Sequence, residues 1–336
     1  MTVHTNISEI NENQWRKLII KSQTASYFQT LECYEFYESL SFLKPFVFGV
    51  TENDRLMGVM CGYVISAGNS LQRFFSRRAI VPGGLLLDQH ISTEGLKALL
   101  EKAKTDLSKK AIYIEVQNYK DYNEYRLIFE SAKFNYEPFL NFYVPTYDVS
   151  TALGRLSDVL QKQLKIAQNA GLEWQDANQK EDIKVFYALL KRQYKKIPET
   201  TLFPLEFFEK LVTMPNGKIF VVKNKRKVVG GMACVILPGS TMYQWFMCEE
   251  NQTIGKDVFK GTMVTWSGIE YAAKSNIFRL EFMNIGNLSA DFKTHEYKRK
   301  YGGQSVELGR FLWINKPLLY FIGRFVLENI IRKVRM

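Results

Sequence analysis

Two apolar-rich runs, Phe46–Thr51 and Leu56–Ser66, flank the polar triplet Glu52-Asn53-Asp54. Short apolar runs about a polar turn predict a β-hairpin. A second hairpin pattern spans Lys218–Leu237 and echoes the first. Phe48, Val50, Gly58 and Met60 stand 172 positions before Phe220, Val222, Gly230 and Met232. Another echo follows in the same order: Tyr113–Asn118 (YIEVQN) is answered by Arg279–Asn284 (RLEFMN). There the offset is 166, and Glu115 and Asn118 match Glu281 and Asn284. Two ordered echoes about half a chain apart imply two copies of one α/β unit rather than a short solenoid repeat. Paired lobes are expected to leave a cleft in which ligands bind.

Helical patterns surround these hairpins. In the first half they cover Asn11–Lys21, Leu31–Leu40 and a segment capped by Ser92, with a strand at Ala111–Gln117. The Val144-Pro145 step and Asp148 mark a boundary. Beyond it come helices at Thr151–Ala170, Lys180–Lys195 and Pro204–Val212. A third strand at Thr241–Cys248, a helix at Val258–Lys274 and a strand at Ile277–Met283 follow. The fold class is α/β, with mixed sheets flanked by helices in two domains, 1–148 and 149–310. A C-terminal helix over 311–336 is expected to pack on the first domain. Within it Leu318, Phe321, Ile322, Phe325, Val326, Ile330 and Val334 recur at helical spacing among Arg324, Arg332, Lys333 and Arg335. That pattern equally fits a helix lying on an anionic bilayer, so peripheral membrane contact through 317–336 stays open.

Composition narrows the field. Hydrophobic residues at 46% and aromatics at 14% exclude a disordered chain. A net charge of +11 favours polyanionic partners without choosing among them. The four cysteines form no Cys-x-x-Cys and the three histidines are scattered, so no metal site is expected. Neither a signal-peptide pattern nor a spanning apolar run is evident, and cytoplasmic residence is the expectation.

The richest chemistry lies between Asn284 and Gly303, just after the second repeated strand. Lys293, Lys298, Arg299 and Lys300 cluster there, with Tyr297 and Tyr301 one helical turn apart. The run Tyr297-Lys298-x-x-Tyr301-Gly302-Gly303 resembles the aromatic-Lys-x-x-Phe-Gly signature of the FemA/FemB/FemX (FemABX) aminoacyltransferases. Other matches fall in family order. Gln29-Thr30 resembles an early Gln-Ser turn, and Ser76-Arg77 with Val81-Pro82-Gly83-Gly84 resembles a Ser-Arg…Val-x-Gly-Gly segment. Lys162–Leu172 resembles the basic helix opening the second lobe.

The resemblance implies two tandem GNAT-like (acyl-CoA N-acyltransferase-type) domains. It implies transfer of an aminoacyl or acyl group, from aminoacyl-tRNA or an acyl thioester, to an amine of a peptidoglycan or glycan precursor of the cell envelope, without a bound cofactor. The matched lysine puts Lys298 at the transfer centre, with Tyr297 positioning substrate. Tyr243, Trp245 and Asn284 would line the site, and Gln29, Arg77 and Lys293 would complete the substrate contacts. Aminolysis of an ester passes through an oxyanion that a cation in a water-poor site stabilises. Tyr243 and Trp245 also read as core aromatics. Two departures stand out. The family's Lys after the Gln-Ser turn is missing from Cys33–Glu38, and its Arg is missing from Phe203–Phe208. A nucleotide diphosphate would lose both grips. Two rival readings remain: an acyl-CoA-dependent N-acetyltransferase of an amino sugar, and a non-catalytic basic module binding RNA or a membrane surface. The first is disfavoured because Glu250–Asp257 lacks a glycine-rich pyrophosphate loop.

Overall fold

A computed structural model describes residues 1–66, 76–195, 202–250, 259–283 and 292–325, with 292–295 described by backbone alone. Contacts divide the chain into two compact units, Met1–Phe139 with Glu307–Met336, and Leu140–Val306. The first sheet contains β1 (Thr2–His4), β2 (Lys44–Glu52), β3 (Arg55–Ile65), β4 (Arg78–Gly83), β5 (Leu86–Leu87), β6 (Tyr113–Asn118) and β7 (Asn135–Glu137). The second contains β8 (Leu140–Pro145), β9 (Leu172–Asp176), β10 (Gly217–Asn224), β11 (Lys227–Leu237), β12 (Thr241–Glu249), β13 (Arg279–Phe282) and β14 (Gln304–Glu307). From the far end of the chain, β15 (Arg310–Ile314) joins the first sheet.

Strand order shows the duplication directly. The first sheet runs β1-β2-β3-β4-β6-β15-β7, with β5 against β3, and the second runs β9-β10-β11-β12-β13-β8-β14. In each, an antiparallel hairpin pairs with a third strand that runs parallel to its next neighbour, β6 or β13. Asn53 and Asp54 both adopt positive φ in the first hairpin turn, a conformation that short polar side chains tolerate.

Helices cover these sheets by burying apolar stripes. α1 (Glu12–Lys21), α2 (Leu31–Ser39), α3 (Thr93–Leu107) and α4 (Arg126–Ser131) belong to the first unit. Ser92 caps α3 by accepting from the Gly95 amide, and Leu96, Leu99, Leu100, Ala103 and Leu107 face the core. The second unit holds α5 (Val149–Arg155), α6 (Asp158–Asn169), α7 (Lys180–Tyr194), α8 (Leu205–Leu211), α9 (Lys260–Lys274) and α10 (Phe292–Arg299). α9 is buried all round from Lys260 to Ile269, so it is the central helix of that unit.

Three expectations change. The single helix read over 151–170 is two. Leu156 turns to an extended conformation, and Ser157 caps α6 while its amide donates to the Lys300 carbonyl. Residues 310–314 form β15 rather than helix, and a helix, α11, covers 317–325. The division falls at 139/140 rather than 148, because β8 pairs with β13 of the second sheet. All four cysteines are buried free thiols, including Cys61 and Cys234, whose setting in the repeated strands implied it. Burial pushes Cys61 up to about 12 and raises the other three as well, which leaves them unreactive. Among the described residues no helix is long and apolar enough to cross a membrane.

Candidate functional site

The second unit's parallel pair is short. β12 and β13 pair from Thr241 with Arg279 to Gln244 with Phe282, and among the described residues the ladder ends there. The first unit's pair, β4 and β6, stays zipped over six rungs from Arg78 with Tyr113 to Gly83 with Asn118. Just where β12 outruns β13 it carries a bulge. Ala233 faces Phe246 and Cys234 faces Gln244, so Trp245 is the extra residue. Bulges re-aim side chains and open pairing. At the last rung the Gln244 side-chain oxygen is enclosed, with no hydrogen-bond partner among the described residues.

Lys298 reaches this rung. Its ammonium lies 5.1 Å from the centre of the Phe282 ring, and the side chain is half-buried. The rest of its motif fixes that position. The Tyr297 and Tyr301 hydroxyls are 2.6 Å apart, their rings packed edge to face. Tyr301 is fully buried, and both hydroxyls approach Thr262 and Thr265 on α9. Burial raises both phenols, so the pair is neutral and serves only as hydrogen-bonding groups. Gly302 ends the segment at φ 75°, a left-handed cap. A Cβ on Gly303 would fall 2.1 Å from Cε1 of Phe142, so only glycine lets this loop close onto β8.

α9 begins with its own anion. The Gly261 amide donates to the Glu249 carboxylate, and a Cβ on Gly261 would lie 2.6 Å from Glu249 Oε2. Burial raises the Glu249 pKa, against the pull of the Gly261 amide and Lys260. Beside it Glu250 is held low, first by Lys227 at 2.6 Å and then by Lys260 at 3.2 Å. Thr262 donates to Gln163 on α6, which ties the basic helix of the sequence motif to α9.

The other sequence candidates make contacts of their own. Gln29 is fully buried, accepting from the Ser26 amide and hydroxyl and donating to the Gly83 carbonyl at 2.7 Å. Its polar atoms are spent fastening the closed end of the first unit's strand pair. Arg77 precedes β4 half-buried, and its carbonyl accepts from the Ile112 amide. Tyr243 is buried on β12 beside Arg279 and Glu281, the latter also held by Asn141. Trp245 packs on Phe207 at 4.9 Å and on Phe203, in a cluster shared with Phe246. Neighbouring residues of a regular strand point apart, so the bulge is what brings both to one cluster. Asn284 and the side chain of Lys293 lie outside the described residues. Sequence reading missed Glu249, Thr262 and Thr265. The i, i+3 threonines opening a buried helix were a usable signal, whereas the Glu249 contact to Gly261 spans the undescribed residues 251–258 and had none.

No protein-family model matches the chain, and no curated protein does. Solved structures do. The crystal structure of FemX superposes with a TM-score of 0.70 over 96% of this chain and 100% of its own, at 14% identity. The fold is that of FemX. A tandem GNAT protein from the clavulanic acid biosynthesis pathway follows the same architecture, with a TM-score of 0.61 at 11% identity over 94% of this chain and 99% of its own. So does L-PGS from Bacillus licheniformis, at 0.54 and 11% identity, over 94% and 96%. This agrees with the FemABX-like tandem GNAT fold expected from the sequence. The FemX likeness spans both units.

Proposed function

We propose that the protein is an acyltransferase that moves an aminoacyl or acyl group onto an amine of a cell-envelope precursor. The observation that carries this reading is the Lys298 ammonium, 5.1 Å from the Phe282 ring at the last rung of the β12–β13 pair. In the reaction, the acceptor nitrogen attacks the donor ester carbonyl. The C–N bond forms, the C–O bond breaks, and the amine proton ends on the departing oxygen. Lys298 stabilises the intermediate oxyanion, and neutral Tyr297 orients substrate.

Aminoacyl-tRNA is the donor that the site favours. A coenzyme A pyrophosphate would need the free amides at a helix N-terminus, and on α9 the Gly261 amide already holds the Glu249 carboxylate. A second anion there meets like charge. The net charge of +11 suits RNA as a partner, and four buried free thiols suit a reducing cytoplasm. The acceptor is an envelope precursor, peptidoglycan or glycan in kind, reached without the two cationic grips missing from Cys33–Glu38 and Phe203–Phe208.

Mass spectrometry of envelope precursors from cells with and without the protein tests this reading. A mass difference of one amino acid residue is expected. An acetyl difference, together with micromolar coenzyme A binding by calorimetry, would replace it with the N-acetyltransferase reading. No difference in any precursor would leave a non-catalytic basic module.

A further inference from the structure

α11 rests on the first unit through its inner face. Its inner face carries Leu319, Tyr320 and Gly323, all half-buried, and the Tyr320 ring packs edge to face on Tyr113 at 5.2 Å. The opposite face is apolar and open. Leu318 is 80% exposed, Phe321 60%, Ile322 55% and Phe325 67%. At 3.6 residues per turn these four fall within an arc of about 100°, the width of the stripe by which a helix normally enters a core. Among the described residues no core covers it. Large apolar side chains gathered on one exposed face mark a contact surface.

The charges beside the stripe identify its partner. Lys316 precedes the helix and exposed Arg324 lies on the flank of the stripe next to Phe321. The sequence continues with Arg332, Lys333 and Arg335 against a single acid, Glu328. An apolar stripe bordered by cations matches the boundary of an anionic lipid leaflet, where acyl chains lie under negative headgroups. We propose that α11 seats the protein on the surface of an anionic bilayer, with Leu318, Phe321, Ile322 and Phe325 in the headgroup–acyl boundary. The proposal does not depend on the transfer chemistry above. The helix is placed along the surface rather than across it, since among the described residues no helix is long and apolar enough to cross a membrane.

The test is co-sedimentation of the full chain with vesicles of equal parts phosphatidylglycerol and phosphatidylcholine, and with phosphatidylcholine alone. The wild type is expected to sediment with the anionic vesicles and to be released by added salt. Phe321→Asp with Phe325→Asp is expected to weaken binding about a hundredfold or more, because two buried aromatics are lost. Phe321→Ala with Phe325→Ala should give an intermediate loss. Both pairs point outward, so unchanged melting temperatures are expected. Equal sedimentation of wild type and the aspartate pair would overturn the proposal. So would binding indifferent to phosphatidylglycerol and salt. A wild-type dimer in light scattering, reduced to monomer by the aspartate pair with no vesicle binding by either, would assign the stripe to a second copy instead.

Discussion

Replacing Lys298 separates its catalytic role from its structural one, because the two have different sizes. In the fold the ammonium lies over the Phe282 ring at 5.1 Å, on a half-buried side chain. A cation–π contact at such a site contributes about 1 kcal/mol. Lys298→Ala should therefore lower unfolding stability by about that amount. Removing one preorganised group from an oxyanion costs about 3 kcal/mol, or roughly two orders of magnitude in kcat. Lys298→Met keeps the apolar stem, so it should melt closer to wild type yet lose as much rate. Single-turnover transfer of a labelled amino acid from charged tRNA to the acceptor measures the rate, and a urea titration measures stability. If Lys298→Met turned over within a small factor of wild type, the ammonium would have no part in the chemistry. If instead its rate loss merely tracked lost folded protein, the role would be structural.

Three further outcomes are expected. Tyr301→Phe removes one partner of the 2.6 Å hydroxyl pair and should cost about 1 kcal/mol in a denaturant titration, with the Tyr297 ring still in place. Gly303→Ala places a methyl group 2.1 Å from a Phe142 ring carbon, so it should destabilise by about 1–3 kcal/mol and depress kcat, read by thermal melting and the transfer assay. Glu249 has its folded pKa raised by burial, so the folded state binds its proton more tightly than the unfolded state does. Stability should fall as pH rises from the ordinary glutamate range through the raised value, and Glu249→Gln should flatten that slope in melts taken across pH.

The duplicated plan was legible because it is written in local patterning. Phe48 and Phe220 sit at matching places in β2 and β10, and the hairpins, the Ser92 cap and the buried Cys61 and Cys234 all follow from short-range rules. Where reading failed, a non-local partner decided. Phe311 and Leu312 look like the start of the helix after Pro317, but they fill the place between β6 and β7. The Gln29 side chain, expected among the substrate contacts, is bonded to Ser26 and to the distant Gly83 carbonyl. The break at Ser157 was visible as a cap residue before Asp158, yet its fixing bond comes from Lys300. At the candidate site, the residues of the Tyr297–Gly303 motif lie together, with Lys298 over Phe282 and the Tyr297 and Tyr301 hydroxyls paired. The Trp245 bulge and the short β12–β13 ladder left no trace in the one-dimensional pattern, because register is a property of strand pairs.

The placement of β8 and β15 makes the ancient copies hostages of one another. The amino-terminal half encodes the strand that sits between β13 and β14, and the carboxy-terminal half encodes the strand that sits between β6 and β7. Fission of the gene at its midpoint would thus yield two polypeptides, each missing an internal strand and bearing raw edges that invite foreign strands. Co-expressed, the fragments could restore both sheets only by reciprocal donation, which makes split-protein complementation a natural property of this fold.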